Sequence, residues 1–133
     1  MDEMKLFDAA FIEGLLEKAS SAERKRCNFD LRNSESDQSQ RMLNAMVPGT
    51  VVPVHRHDDT AETVVCLSGK LYEIIYEECA SPDGSRAFRE VSRHLICPDL
   101  GIHGIQIPSG CWHSVEVLEP SVIFEAKDGK YMP

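Results

Sequence analysis

At 133 residues the chain has the length of a single domain, and a 42% hydrophobic share is enough to bury a core. A formal net charge of −8, from 22 Asp and Glu against 14 Lys and Arg, excludes a nucleic-acid binder that works by neutralising backbone phosphates. The five cysteines form no C-x-x-C pair, the Met1-Asp2-Glu3 start leads into no apolar signal segment, and no apolar run reaches the length of a membrane span, so a reducing, cytoplasmic setting without a membrane partner is expected.

The first element reads as a helix. In residues 6–18, LFDAAFIEGLLEK, the apolar side chains Phe7, Phe11 and Leu15 recur at helical spacing, as do Ile12 and Leu16. Residues 20–26, SSAERKR, continue it or turn away. NSESDQSQ, residues 33–40, carries no apolar residue and reads as an exposed loop. Short segments of β character follow in order: RMLNAMV, TVVPVHRH, ETVVCLSG, KLYEIIYEE, AFREVSRHLI, IHGIQIP, CWHSVEVL and SVIFEAK. Turn residues separate them, at Pro48-Gly49, Asp58-Asp59, Pro82-Asp83-Gly84, Pro98-Asp99 and Pro108-Ser109-Gly110. Many short strands at this spacing point to an all-β sandwich or barrel. The expected organisation is a helical extension over residues 1–27 and one β-domain over residues 28–133.

One stretch carries chemistry. Gly49 is followed by five residues and His55, one residue and His57, four residues and Glu62, then six residues and Gly69. Residues two apart on a strand share a face, so His55 and His57 can present both imidazoles to one point. The Asp58-Asp59 turn then lets Glu62 return to that point from the next strand. Further on, Pro108-Ser109-Gly110 makes a tight turn that aims His113 inward. Three imidazoles and a carboxylate suit one divalent ion such as Fe(II), Mn(II), Ni(II) or Zn(II), and four protein ligands leave up to two positions of an octahedral ion open.

The first stretch matches the first cupin signature at every fixed position, and Pro108, Gly110 and His113 match the core of the second. Val117 stands where an Asn usually closes that second motif, and neither Gly101 nor Gly104 lies at the usual distance before Pro108. The runs RKRCNFDLR, QRMLNAMVPGTVVPVHRH, GIQIPSGCWH and VIFEAKDGKY resemble the WbuC-type cupin family. That resemblance implies a single cupin domain, a double-stranded β-helix or jelly-roll barrel with a metal at His55, His57, Glu62 and His113. It also implies a setting in bacterial polysaccharide biosynthesis. Small cupins pair through sheet edges and the N-terminal segment, so a homodimer is expected with it.

His94 and His103 stand alone, and a surface or outer role is expected. Cys66 shares strand parity with Glu62, and Cys111 with His113, so both can face the interior, where buried thiols act as small apolar groups. Trp112 alternates away from His113. Arg41, Asn44, Tyr72, Tyr76, Gln106, Glu125 and Lys127 are polar residues in β-segments, about half of which alternation exposes. Glu73, Glu77, Glu78 and Glu90 read as a solvated charged face. Lys70 and the Arg24-Lys25-Arg26 run read as surface, or as cations at the barrel mouth that meet an anionic sugar. Tyr72, Tyr76 and Glu125 are the acid–base candidates. The leading expectation is an isomerase-like metalloenzyme acting on a small polar metabolite such as a sugar derivative. The alternatives are an Fe(II) dioxygenase, a non-catalytic metal-dependent binding or sensing module, and a metal that only ties strands together.

Overall fold

The sequence places a capping carboxylate just ahead of its first apolar stripe, and the helix starts there. The computed structural model describes residues 4–131, so the acidic Met1-Asp2-Glu3 start lies outside the described residues. Helix α1 runs Ala9–Ser21, and the Asp8 side chain accepts the Phe11 N–H at 2.9 Å, satisfying one of the free donors of its first turn. It extends beyond the expected end at residue 18, through residues read as either helix or turn, and buries Leu15 and Ala19.

Six strands follow among the described residues: β1 Arg26–Asp30, β2 Ser39–Met46, β3 Glu62–Ala80, β4 Arg86–Ile96, β5 Gly104–Ile107 and β6 Trp112–Asp128. All pair antiparallel in the order β1-β2-β6-β3-β4, with β5 beside β3. The first strand, beginning at Arg26, was not expected and takes in Cys27 from the region assigned to the helical extension. Two pairs of expected segments prove continuous: ETVVCLSG with KLYEIIYEE in β3, and CWHSVEVL with SVIFEAK in β6. Ser81–Ser85 closes the β3–β4 hairpin as expected, with Gly84 at φ 85° and its N–H on the Ser81 carbonyl.

The sheet curls upon itself. Met46 on β2 and Ile96 on β4 stand at distant positions of the strand order, yet both enter one buried cluster with Val64, Cys66, Leu71, Ile107, Val117 and Ile123. This is the rolled β-sandwich that the signatures imply. A second cluster lies on the other face of the sheet, where α1 places Leu15 and Ala19 on Leu43, Ala45 and Val122. Strands β2 and β6 therefore bury side chains on both faces, the inner set against the barrel core and the outer set against the helix. No helix among the described residues is long and apolar enough to cross a membrane.

A bulge sets which β3 residues point inward. Even positions Glu62, Val64 and Cys66 are buried at its start, whereas Leu71 and Glu73 are buried beyond it. The register against β6 shifts between Cys66 and Leu71, around Gly69. Gly69 has φ 116°, and a Cβ there would stand 2.5 Å from the Pro120 carbonyl oxygen and overlap Ser121 Oγ. Only glycine fits this crossing of β3 over β6.

Candidate metal centre

The segment carrying His55 and His57 is not the regular strand its pattern suggested. Pro53 has no N–H for a ladder, and the described structure of TVVPVHRH is extended chain with a single bridge, His55 to His113. That bridge suffices. His55 N–H donates to the His113 carbonyl at 3.0 Å and His113 N–H returns the bond at 2.8 Å, so the two side chains leave on the same side. Their rings lie 4.3 Å apart by centroid, and the His57 ring lies 5.3 Å from His55 and 5.8 Å from His113. The turn before β6 joins the halves, because Gly110 N–H donates to the His57 carbonyl at 2.7 Å.

Glu62, the first residue of β3, completes the group, and one candidate ligand atom from each of the four residues lies within 4.8 Å of the others. Glu62 Oε2 is 2.8 Å from His113 Nε2 and 3.8 Å from His57 Nε2. Two rings are tied from behind: His55 Nδ1 lies 2.9 Å from the Pro53 carbonyl and His113 Nδ1 2.9 Å from that of Cys111. A donor hydrogen bond at Nδ1 fixes the tautomer that leaves Nε2 free to ligate. His57 Nε2 is buried without a hydrogen-bond partner. A cluster of nitrogen donors with one orphaned atom and one carboxylate fits a first-row divalent ion.

The electrostatics agree with that fit. Burial holds the His55 and His57 imidazoles below their ordinary range, so both are neutral and able to ligate at neutral pH. Burial alone would raise Glu62; the His113 hydrogen bond and the Lys127 charge outweigh it and hold the carboxylate down to about 2. Burial likewise opposes charge on His113, but its bond to Glu62 carries it above the usual imidazole value. Lys127 Nζ lies 3.4 Å from Glu62 Oε1 and 3.8 Å from Glu125 Oε2. Burial and the Glu62 carboxylate push Glu125 up to about 7.

Register assigns the other candidates to faces. Gln40, Lys127 and Glu62 form one inward row across β2, β6 and β3, and Met42, Glu125 and Val64 form the next. Asn44 pairs with Ile123 and shares its inner face. Of the acid–base candidates, only Glu125 therefore stands on the metal side. Tyr72 pairs with Glu116 and Tyr76 with Trp112, on the opposite face from His113 and its partner Ile75. The Arg93 guanidinium lies 4.9 Å from the Tyr72 ring centroid on that outer face, and Arg56 packs 4.5 Å from the Trp112 centroid. The bulge around Gly69, invisible to simple alternation, is what turns both tyrosines outward.

Arg41 shares the outer row of Ala126, Thr63 and Gln106, where a groove of about 290 Å³ lies behind the metal-side face. His103 is exposed, as expected; Cys66 is buried in the barrel core, and burial pushes its thiol up to about 11.

One assignment is overturned. Glu77, Glu78 and Glu90 are exposed as expected, but Glu73 is only 2% exposed. The same bulge brings it inward, between Leu71 and Ile75. Apolar residues at alternate positions on both sides of Glu73 were the available signal in the sequence.

Residues 7–85 match a family model described as "Domain of unknown function (DUF6016)". No curated protein matches the chain. Among solved structures, the chain is similar to a conserved protein of unknown function from Streptococcus pyogenes, with a TM-score of 0.62 and 12% identity over 99% of this chain and 93% of that one. It is also similar to an oxalate oxidase in complex with the substrate analogue glycolate, with a TM-score of 0.56 and 16% identity over 84% of this chain and 55% of that one. The cupin domain of Schizosaccharomyces pombe Cnp3 is similar with a TM-score of 0.53 and 12% identity, over 80% of this chain and 66% of that one. The chain thus spans about half of the oxalate oxidase and about two thirds of the Cnp3 domain chain. These likenesses show a cupin-like fold.

Proposed function

We propose, for a chain that belongs to the family described as Domain of unknown function (DUF6016), a metal-dependent role on a small polar metabolite, isomerase-like in its chemistry. The observation that carries it is the convergence of His55, His57, Glu62 and His113, with one candidate ligand atom from each inside 4.8 Å. A bound divalent ion supplies Lewis acidity toward a carbonyl or hydroxyl oxygen of the ligand. The chain's own groups do the rest. The Pro53 and Cys111 carbonyls orient the His55 and His113 rings, Gly110 N–H ties the His57 backbone, and Lys127 steadies the Glu62 carboxylate. Glu125, raised to about 7, can hold or release a proton near neutral pH on the same inner face. The WbuC-type resemblance supports a sugar-derived ligand and a polysaccharide setting, a homodimer is proposed with it, and the cysteine usage supports a cytoplasmic location. A second reading, a binding or sensing module without turnover, gains support from Tyr72 and Tyr76, which lie on the outer face and leave the site with few proton-transfer groups.

Expression in media of defined metal content, followed by metal analysis, tests the proposal. About one divalent ion per chain is expected in the purified protein, and His113→Ala should lower metal affinity at least ~100-fold, since loss of outer partners alone costs ~10–100-fold. A folded wild-type protein that retains no ion from any of iron, manganese, nickel or zinc overturns the reading. Zinc uptake with no iron uptake would exclude the dioxygenase. Incubation with nucleotide sugars and mass analysis of the products separates turnover from retention.

A further inference from the structure

The outer face of the sheet carries a groove in which the metal centre has no part. One register row crosses four strands there: Arg41 on β2 pairs with Ala126 on β6, Ala126 with Thr63 on β3, and Thr63 with Gln106 on β5. All four residues line the groove of about 290 Å³. Paired residues on neighbouring strands share a face about 4.8 Å apart, so the row spans roughly 14 Å. Its middle positions hold the small side chains of Ala126 and Thr63, and its ends hold the long polar ones of Arg41 and Gln106. The result is a trough with polar ends. The row on one side pairs Val65 with Phe124, and Val65, 39% exposed, gives the trough an apolar border. The row on the other side pairs Asp128 with Ser39, and both line the groove. Thr60 closes that side, its Oγ1 accepting the Asp128 N–H at 3.2 Å.

The charges around the trough select a class of ligand. The Arg41 guanidinium is matched by the Asp37 carboxylate at 3.3 Å and also donates to the Leu31 carbonyl at 3.1 Å. Lys127 borders the groove, but its ammonium lies inward against Glu62 and Glu125. Asp128 adds a carboxylate. Among the described residues lining the groove, then, both cations have carboxylate partners, which disfavours an anionic ligand. Hydroxyl groups fare better, because the Gln106 amide and Thr63 hydroxyl both donate and accept while Asp128 accepts. We propose that this trough binds a neutral saccharide, its hydroxyl groups on Gln106, Thr63 and Asp128 and its C–H face toward Val65. A volume at the small end of the ~300–1,000 Å³ usual for ligand pockets limits the occupant to one or two rings. The metal centre faces the other side of the sheet, so the proposal stands without the metal reading.

Amide NMR titration of the full chain tests this, with maltose, cellobiose and lactose as neutral probes and inorganic phosphate as the anionic one. At least one disaccharide should shift the Thr63, Gln106 and Ala126 amides saturably, and phosphate should not. Gln106→Ala, at an exposed position, should weaken that binding ~3–10-fold, the worth of about one hydrogen bond. Ala126→Leu fills the floor of the trough and should weaken it by at least about tenfold. Should Ala126→Leu fail to fold, Gln106→Ala and the map of shifted amides decide the matter. The proposal is overturned if no disaccharide shifts this row, if phosphate shifts it in their place, or if Gln106→Ala binds as wild type. Shifts centred on His55, His57 and His113 overturn it as well, because they place the sugar at the metal centre instead.

Discussion

The two inward-facing stretches of β3 hold a glutamate each, and their surroundings push the two carboxyl groups in opposite directions. Glu62 opens the strand among three imidazoles and the Lys127 ammonium, and is held down to about 2. Glu73, beyond the bulge, sits between Leu71 and Ile75 with only carboxylates as charged perturbers, and is pushed up. Both are almost fully buried, so burial does not distinguish them. What differs is whether the fold supplies a positive partner. One strand thus carries an ionised carboxylate at one end and a neutral carboxyl beyond the bulge, and the register shift turns both to the same inner face.

The largest test of this comparison replaces each carboxylate with a similarly sized apolar group in chelator-treated protein. Glu62→Leu leaves the charge-prone His113 buried without its counter-charge and Lys127 with Glu125 as its carboxylate partner, and should destabilise by ~3–5 kcal/mol. Glu73→Leu removes an unpaired group, and should be neutral or stabilising by up to ~1–3 kcal/mol. Urea denaturation measures both. Equal losses in the two variants would mean that Glu73 has an unrecognised positive partner and that the contrast is false.

Gly69→Ala attacks the bulge itself. The added Cβ meets the Pro120 carbonyl oxygen and Ser121 at contact distances no real side chain tolerates, at a φ that disfavours any L-residue. Strain of this kind costs ~1–3 kcal/mol and overpacking a further ~1–3 kcal/mol. A lowered urea midpoint is expected, together with a loss of Glu73 burial seen as a smaller pH dependence. A variant with wild-type stability would show that the crossing of β3 over β6 is looser than its contacts indicate.

This bulge also marks where the sequence stops being readable. His55, His57, Glu62 and His113 could be brought together on paper because their spacing follows from alternation and turns, and the structure clusters them. The glycine closing that first motif was recognisable, but not its consequence. Simple alternation through KLYEIIYEE leaves Glu73 among solvated glutamates and Tyr72 and Tyr76 among site candidates, whereas the register shift at Gly69 reverses those faces. Strand β1 escaped for another reason. RKRCNFD is short and mixed in polarity, and its strand character comes from pairing with β2 and from the α1 cluster that covers it.

The pH profile sharpens the contrast with a slope of at most ~1.4 kcal/mol per pH unit for each group. Glu62 has a folded value below the ordinary 4.5, so its stabilisation is complete above 4.5 and is lost as pH falls toward about 2. Glu73 is shifted the other way. Above 4.5 the unfolded chain releases this proton while the folded chain keeps it, so stability falls as pH rises until Glu73 ionises. The advantage of Glu73→Leu over wild type should therefore grow from pH 4.5 upward, and a constant difference across that range would remove the case for a neutral buried acid.

Asp8→Ala supplies the smallest effect and the control that the others need. It deletes the cap of α1, which packs on the outer face of the sheet, and should cost ~1 kcal/mol. Because Asp8 shares no partner with Glu62 or Glu73, its cost should add to theirs within ~0.3–0.5 kcal/mol. Double variants with Glu62→Leu and Glu73→Leu measured by urea denaturation check this. Additivity shows that the opposite signs at Glu62 and Glu73 arise from charges inside the barrel. A large coupling would place part of the contrast in the helix–sheet contact, where β2 and β6 present one face to α1 and the other to the barrel core.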